Sequence, residues 1–505
     1  MKRTSGTGPR RKERSPSPAG GPTTCEPALE NLSHAVRFET VSHPDPDRVD
    51  PEPFLAFHRF LDDTYPGVHR TLKREEVGGL SLLYTWEGSE PGEKPHVVTA
   101  HMDVVPVEPG TEGDWRYPPF RGLVEEGYVW GRGTLDCKGI LLAVMEAVER
   151  LVAEGFRPRR TVYLAFGHDE EVGGHQGAAQ VAVLLASRGV QADLVLDEGG
   201  FLVMGGIPGL RGPLAAVGVA EKGYLALKLS VRAEGGHSSM PPRNTAVGIL
   251  ARAVHRLEES PFPARLGETG WRTLENLAPR APFFVRPLMR RNRLLEIPLT
   301  RLAARMEATN ALVRTTAAVT MIRAGTRENV LPQEAAAVVN LRLLPGDGPD
   351  YVLARTRKVV KDPRVRVEVL GRPPGDSAVS DVESQGYRIL ERIISKVFPD
   401  AAVVPILLPG MSDARHYAAL GRSVFRFAPL RLSREDRARA HGTDERLGTD
   451  NYLELIRFYG HLFRDAGPAP ASNSSEAGCP PFTEVTRCSQ GHSTENRPAP
   501  RRAGG

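Results

Sequence analysis

No stretch of this 505-residue chain approaches the roughly 18–20 unbroken apolar residues that a membrane-spanning helix requires, which excludes a transmembrane protein. Cysteine is scarce. Cys25, Cys137, Cys479 and Cys488 are too few for a disulfide scaffold. Three of them lie in the tails, where Cys479 and Cys488 could close a loop, so the redox compartment stays open. A signal peptide is also missing from the first 30 residues, which start basic but lead into no apolar segment. The folded part lacks net charge. Of the total of +5, residues 1–27 hold six bases against two acids (+4) and residues 467–505 hold four against three (+1), leaving the body neutral. A nucleic-acid footprint needs a basic face on the fold, so no nucleic-acid partner is expected. No internal repeat is visible.

What is present is ordinary globular material, 40% hydrophobic and 25% charged, long enough for about two to four domains. Residues 1–27 and 467–505 are rich in Pro, Ser, Gly and Arg and read as disordered tails. Between them, apolar β-rich runs alternate with helical patterns, the signature of an α/β domain with a mostly parallel central sheet. The runs His96–Ala100, Thr161–Phe166 and Leu194–Leu196 read as buried strands. Lys138 to Glu154 reads as a helix with the stripe Ile140, Leu141, Val144, Val148, Leu151 and Val152.

The pattern changes near residue 217. A half-exposed strand is expected at 224–231, further strands at 315–323, 335–343 and 365–370, and helices at 246–257 and 349–361. Residues 262–312 look irregular. This is an inserted α+β domain covering 217–372, between two parts of one α/β domain at 28–216 and 373–466.

Each of the three core strands ends in acids or a histidine: His101-Met102-Asp103, Gly167-His168-Asp169-Glu170-Glu171 and Asp197-Glu198-Gly199-Gly200. Singly, such clusters are usually solvated turns. Together they would converge on one rim, because ligands of open α/β sheets bind beyond the carboxyl ends of the strands. Asp136, just before the Lys138 helix, is placed to join them. Carboxylates with imidazole suit zinc, and a shared carboxylate suits two metals.

The spacing of His101-x-Asp103, Asp136, Glu170-Glu171, Asp197 and the late His441 resembles the co-catalytic zinc peptidase family of aminoacylase, carboxypeptidase S and bacterial carboxypeptidase G, over about residues 30–465. Within it, five segments are most similar to the vertebrate branch that makes and hydrolyses N-fatty-acyl amino acids. They are Val195–Phe201, Glu221-Lys222-Gly223, Gly235–Pro242, Val313–Thr316 and Arg439–Gly442.

The resemblance implies a zinc-exopeptidase-like catalytic domain with an inserted lid or dimerisation domain, and two zinc ions per chain. His101, Asp136, Glu171, Asp197 and His441 would bind metal, with Glu198 an alternative to Asp197. Asp103 would orient His101 from behind, and Glu170 would be the general base. His237 would stabilise the oxyanion across a homodimer. Asn329 and Arg342 would clamp the carboxylate of a small-molecule substrate. Gly410–Arg415 resembles a further active-site loop. The implied reaction is hydrolysis of N-fatty-acyl amino acids or its reversal, with carboxypeptidase or dipeptidase activity as the alternative, and the implied location is extracellular. Cys137 departs from part of the family, where an acid or small polar residue often follows the bridging Asp, and reads as packing. Phe283, Phe284, Val285, Leu288, Met289, Leu294 and Leu295 read as lid core, with an acyl-chain groove or lipid contact as the other reading.

Overall fold

The computed structural model describes residues 26–204, 211–371 and 378–464. Nearly all of both tails, with Cys25, Cys479 and Cys488, lies outside the described residues. Glu26 and Pro27, read as the end of the first tail, open the helix Glu26–Val36.

The three runs read as buried strands are neighbours. His96–His101 lies between Val162–Gly167 and Leu194–Asp197, parallel to both, with His101 opposite Gly167. Val424–Arg426 continues the parallel block beside Leu194–Asp197. The ten-stranded sheet turns antiparallel towards one edge through Ser81–Trp86 and Lys73–Val77, and is mixed towards the other. The parallel strands are buried nearly throughout because helices cover both faces, as a parallel sheet requires.

Lys138–Ala153 lies behind this block. It is buried on most of its circumference, packed between the sheet and the helix Thr449–Arg464. Gly155 ends it with φ +72°, a left-handed cap that lets Phe156 N donate to Leu151 O at 2.9 Å. Each fully buried Leu, Val or Ile of this layer contributes about 1.5–3 kcal/mol through the water it no longer meets.

The inserted domain has its own core. Its antiparallel sheet runs Thr316–Ala324, Glu334–Leu343, Gly223–Arg232, Val365–Leu370, and carries the helices Ala246–Glu259 and Pro349–Val360. The chain crosses into it later than residue 217. Leu214–Glu221 is still a strand of the large sheet, paired with Ala402–Leu408, and its continuous burial made it look like a change of pattern. Only Lys222 separates it from Gly223–Arg232. Glu221 is held on the catalytic side, accepting from Ser412 N (3.1 Å), Ser412 Oγ (3.3 Å) and Arg426 Nε (3.2 Å). Lys222 is held on the other, its Nζ donating to Arg314 O (2.9 Å) and Thr316 Oγ1 (3.0 Å).

Residues 262–312 are helical rather than irregular: Gly267–Leu277, Arg293–Arg305 and Glu307–Val313, joined by 3-10 turns. The first lies along Ala402–Leu408, where Thr273 Oγ1 donates to Pro405 O at 2.7 Å. Among the described residues, no helix is long and apolar enough to cross a membrane.

Candidate metal centre

The parallel block delivers its strand ends to one rim. His101, Asp136 and Glu171 each offer a ligand atom within 4.8 Å of the others. His101 Nε2 stands 2.9 Å from Asp136 Oδ1. His441 Nε2 reaches the other oxygen of Asp136 at 3.0 Å and the Glu171 carboxylate at 3.1 Å. Asp136 thus sits between two imidazoles.

Asp103 organises two of these groups. Nδ1 of His101 faces its backbone oxygen at 3.0 Å and its carboxylate at 3.3 Å, which directs Nε2 at the rim. The same carboxylate accepts from Glu170 N and Glu171 N, each at 3.1 Å, and from Ser42 Oγ at 2.6 Å. One buried aspartate therefore fixes both His101 and the turn Glu170–Val172. With so many donors aimed at it, its carboxyl stays below the usual range although burial alone would raise it.

Asp197 and Glu198 divide differently. Asp197 Oδ1 accepts from Thr99 Oγ1 at 2.5 Å and Oδ2 from Ala414 N at 2.6 Å, so both of its oxygens have protein donors. Glu198 has no such donor among the described residues. Burial first, then the charges of Asp136 and Asp197, push its carboxyl well above the ordinary range. Glu170 is raised in the same way, by burial and by Asp413, Glu198 and Asp136. Glu171 rises for the same first cause. His441, hydrogen-bonded to Asp136 and Glu171, is pushed up to about 10.

Among the described residues, no lysine or arginine hydrogen-bonds to Asp136, Glu171 or Glu198. Acids crowded beside imidazole without a fixed cation are what a divalent metal neutralises. The donor set therefore fits a metal centre.

Reading the motifs missed the groups behind the ligands. Glu445 is fully buried. Its Oε1 accepts from Leu135 N (2.8 Å) and Asp136 N (3.2 Å), and its Oε2 takes Arg132 Nη1 at 2.6 Å. Arg132 Nη2 donates to His441 O at 3.1 Å. This ion pair fixes the backbone of Asp136 and of His441, whose φ of +62° is uncommon for a residue other than glycine. The only sequence hint was Glu445 four residues after His441. Asp413 belongs to the Gly410–Arg415 loop, which the motifs picked out without giving this residue a role. It is buried beside Gly167 and Gly174, where an added Cβ would stand 2.9 Å and 2.0 Å from its oxygens, and burial with Asp197 raises its carboxyl. Cys137 is buried, and burial pushes its thiol well above the ordinary range.

The inserted domain holds the rest. His237 is exposed on the short strand Gly236–His237, opposite Val330. Ser239 N donates to its Nδ1 at 3.2 Å, which leaves the proton of the neutral ring on Nε2. Asn329 stands beside it, its carbonyl accepting from Ser238 N at 3.1 Å. Arg342 is half-buried in the strand Glu334–Leu343, its guanidinium 5.4 Å from the Tyr224 ring. Among the described residues, no hydrogen bond or ion pair joins these three to the rim.

The model of peptidase family M20/M25/M40 matches residues 97–465. A probable carboxypeptidase S-like protein of Dictyostelium discoideum is 39% identical over 86% of this chain and 84% of its own. The N-fatty-acyl-amino acid synthase/hydrolase of Bos taurus is 39% identical over 85% and 86%. The crystal structure of an M20-family metallo-carboxypeptidase from Sulfolobus solfataricus shares the fold, with a TM-score of 0.65 at 18% identity, covering 87% of this chain and 99% of that one.

Proposed function

Since this chain belongs to peptidase family M20/M25/M40 and is a metallohydrolase, we propose that it hydrolyses the amide bond of N-fatty-acyl amino acids, and condenses fatty acid with amino acid in reverse. What supports hydrolysis is the rim itself: two imidazoles and clustered carboxylates around Asp136, with Glu170 buried beside them. What supports the acyl substrate is the 39% identity to the bovine synthase/hydrolase along most of both chains.

We assign two zinc ions, held by His101, Asp136, Glu171, His441 and one acid of the Asp197–Glu198 pair. Glu198 is the better donor of that pair, because both oxygens of Asp197 already accept protein hydrogen bonds. Bound metal supplies Lewis acidity and lowers the pKa of water. The chain's own residues do the rest. Glu170, its carboxyl raised by burial and by the acids around it, takes a proton from the attacking water and returns it to the departing amine nitrogen. Asp103 keeps the Glu170–Glu171 turn in place. Arg342 and Asn329 take the free carboxylate, and His237, with its proton on Nε2, donates to the oxyanion, from a partner chain if the protein is a homodimer.

The equal identity to the Dictyostelium carboxypeptidase S-like protein favours a second reading with the same centre, in which a peptide replaces the fatty amide. Turnover of N-oleoyl-phenylalanine, an unblocked dipeptide and N-acetyl-methionine by the zinc-loaded protein tests both. Preference for the oleoyl substrate supports the first reading. Preference for the dipeptide moves the protein to the second.

A further inference from the structure

The helix Arg293–Arg305 keeps Leu295 and Leu299 half-buried on its inner side and leaves a second apolar face in the open. Leu294, Ile297, Pro298, Arg301, Leu302, Arg305 and, just past its end, Met306 are exposed, while Thr300 is buried. These exposed positions recur every three or four residues, so they share one face. That face is apolar with two arginines, and it looks outwards: Leu294 is 85% exposed. The preceding turns add Phe283, 80% exposed, and Phe284, stacked edge-on with centroids 5.6 Å apart. The lid-core reading therefore fails for Phe283, Phe284, Leu294 and the exposed Leu288, whereas Met289 belongs to a buried cluster with Leu214 and Val404. A soluble chain gains nothing by holding such a surface in water.

The charge of the same segment selects what covers it. Residues 278–306 hold seven arginines and one acid, Glu296, which is +6, whereas the rest of the neutral body 28–466 is left at −6. Arg290, Arg301 and Arg305 are exposed. A second copy of the chain would bring like charge against like, but an anionic bilayer takes both the arginines and the apolar side chains.

We propose that this face docks the protein on the surface of anionic lipid. The arginines lie at the level of the headgroups, and Phe283, Phe284, Leu294, Ile297 and Leu302 enter the acyl boundary. The inference stands apart from the substrate assignment, since it concerns a face of the insertion and none of the rim residues.

The test is co-sedimentation of the full chain with vesicles of mixed phosphatidylcholine and phosphatidylserine, or of phosphatidylcholine alone. Two variants are compared with the wild type: the triple Phe283→Ser/Leu294→Ser/Ile297→Ser and the triple Arg290→Glu/Arg301→Glu/Arg305→Glu. All keep the same basic tails, so the tails cancel. Since each basic residue near an anionic surface is worth roughly fivefold in partitioning, both variants are expected to lose at least about tenfold on mixed vesicles. Wild-type sedimentation is expected to weaken in high salt and with phosphatidylcholine alone. Hydrolysis of N-acetyl-methionine without vesicles is expected to stay at the wild-type rate in both, which separates loss of docking from loss of catalysis or folding. Wild-type sedimentation of either variant, or equal wild-type binding to both vesicle types, would overturn the proposal. So would a wild-type dimer in vesicle-free solution that either variant dissociates, because the face would then be covered by a second copy.

Discussion

The rim and the inserted domain prepare their functional groups in opposite ways. At the rim, His101, Asp103, Asp136, Glu171 and His441 are held by one another before any ligand arrives. On the insertion, His237 and Asn329 hang on a two-residue ladder, and Arg342 has a ring rather than an acid for company. Metal ligands must hold their geometry within tenths of an ångström, so a closed network serves them. Groups that meet a substrate keep their donors free for it.

The sharpest break in the comparison is expected at the base. Glu170→Gln keeps the shape and the backbone bonds to Asp103, so kcat should fall about 10²–10⁴-fold while metal content by mass spectrometry stays at wild type. A loss under about tenfold would remove Glu170 from that role. Stripping the metal with a chelator tests the network as a whole. It should abolish turnover and lower the melting temperature by about 5 °C or more, because the clustered acids then repel one another uncompensated. An unchanged melting curve would mean that the rim binds no metal tightly.

Glu445→Gln probes the layer behind. It leaves Arg132 as an unpaired buried charge, which should cost about 3–5 kcal/mol of stability and weaken metal binding about 10–100-fold. The double variant Arg132→Met/Glu445→Gln should recover stability in denaturant unfolding but not the metal affinity. Recovery of both would make the pair merely structural.

Arg342→Lys sharpens the other side. A point charge replaces a two-pronged donor, so kcat/KM should fall about tenfold for a free-carboxylate substrate and far less for its methyl ester. Equal losses on both would remove the clamp. The smallest effect concerns His416, beside the rim, which is lowered from 6.5 to about 4 by burial first and then by Arg415. Between those two values the unfolded chain takes a proton that the folded ring refuses, so stability falls as pH drops through that window, by about 1–2 kcal/mol for a partly exposed ring. His416→Gln should flatten this part of the melting-temperature profile.

His101, Glu170–Glu171 and Asp197–Glu198 were legible as rim groups because each pair or residue closes an apolar run, and a strand end in a parallel sheet has a known address, whereas His441 came only from the resemblance. Glu445, Thr99 and Ser42 were not, since they act across 310, 98 and 61 residues of chain. Nothing local marks a buried glutamate as the anchor of another residue's amide. The choice between Asp197 and Glu198 also needed geometry, because adjacent residues of a strand end point to opposite sides. The strands and flanking helices of the insertion were readable from their periods, but Arg293–Arg305 was not. Its apolar face looks outwards, and Pro298 lies inside it, so the usual test of a helix works against recognising this one.

The single residue between the two sheets has a mechanical consequence. Glu221 grips the turn that carries Asp413, and its neighbour Lys222 grips the start of the insertion's edge strand at Thr316. Where two grips sit on consecutive residues, the joint has no slack. A displacement of the small sheet would bear on residues 221–223 and, through Glu221, on Ser412. Asp413, the next residue, is one of the charges that keep the Glu170 carboxyl high. The insertion and the loop of Ser412 and Asp413 are thereby tied to two adjacent residues of one segment.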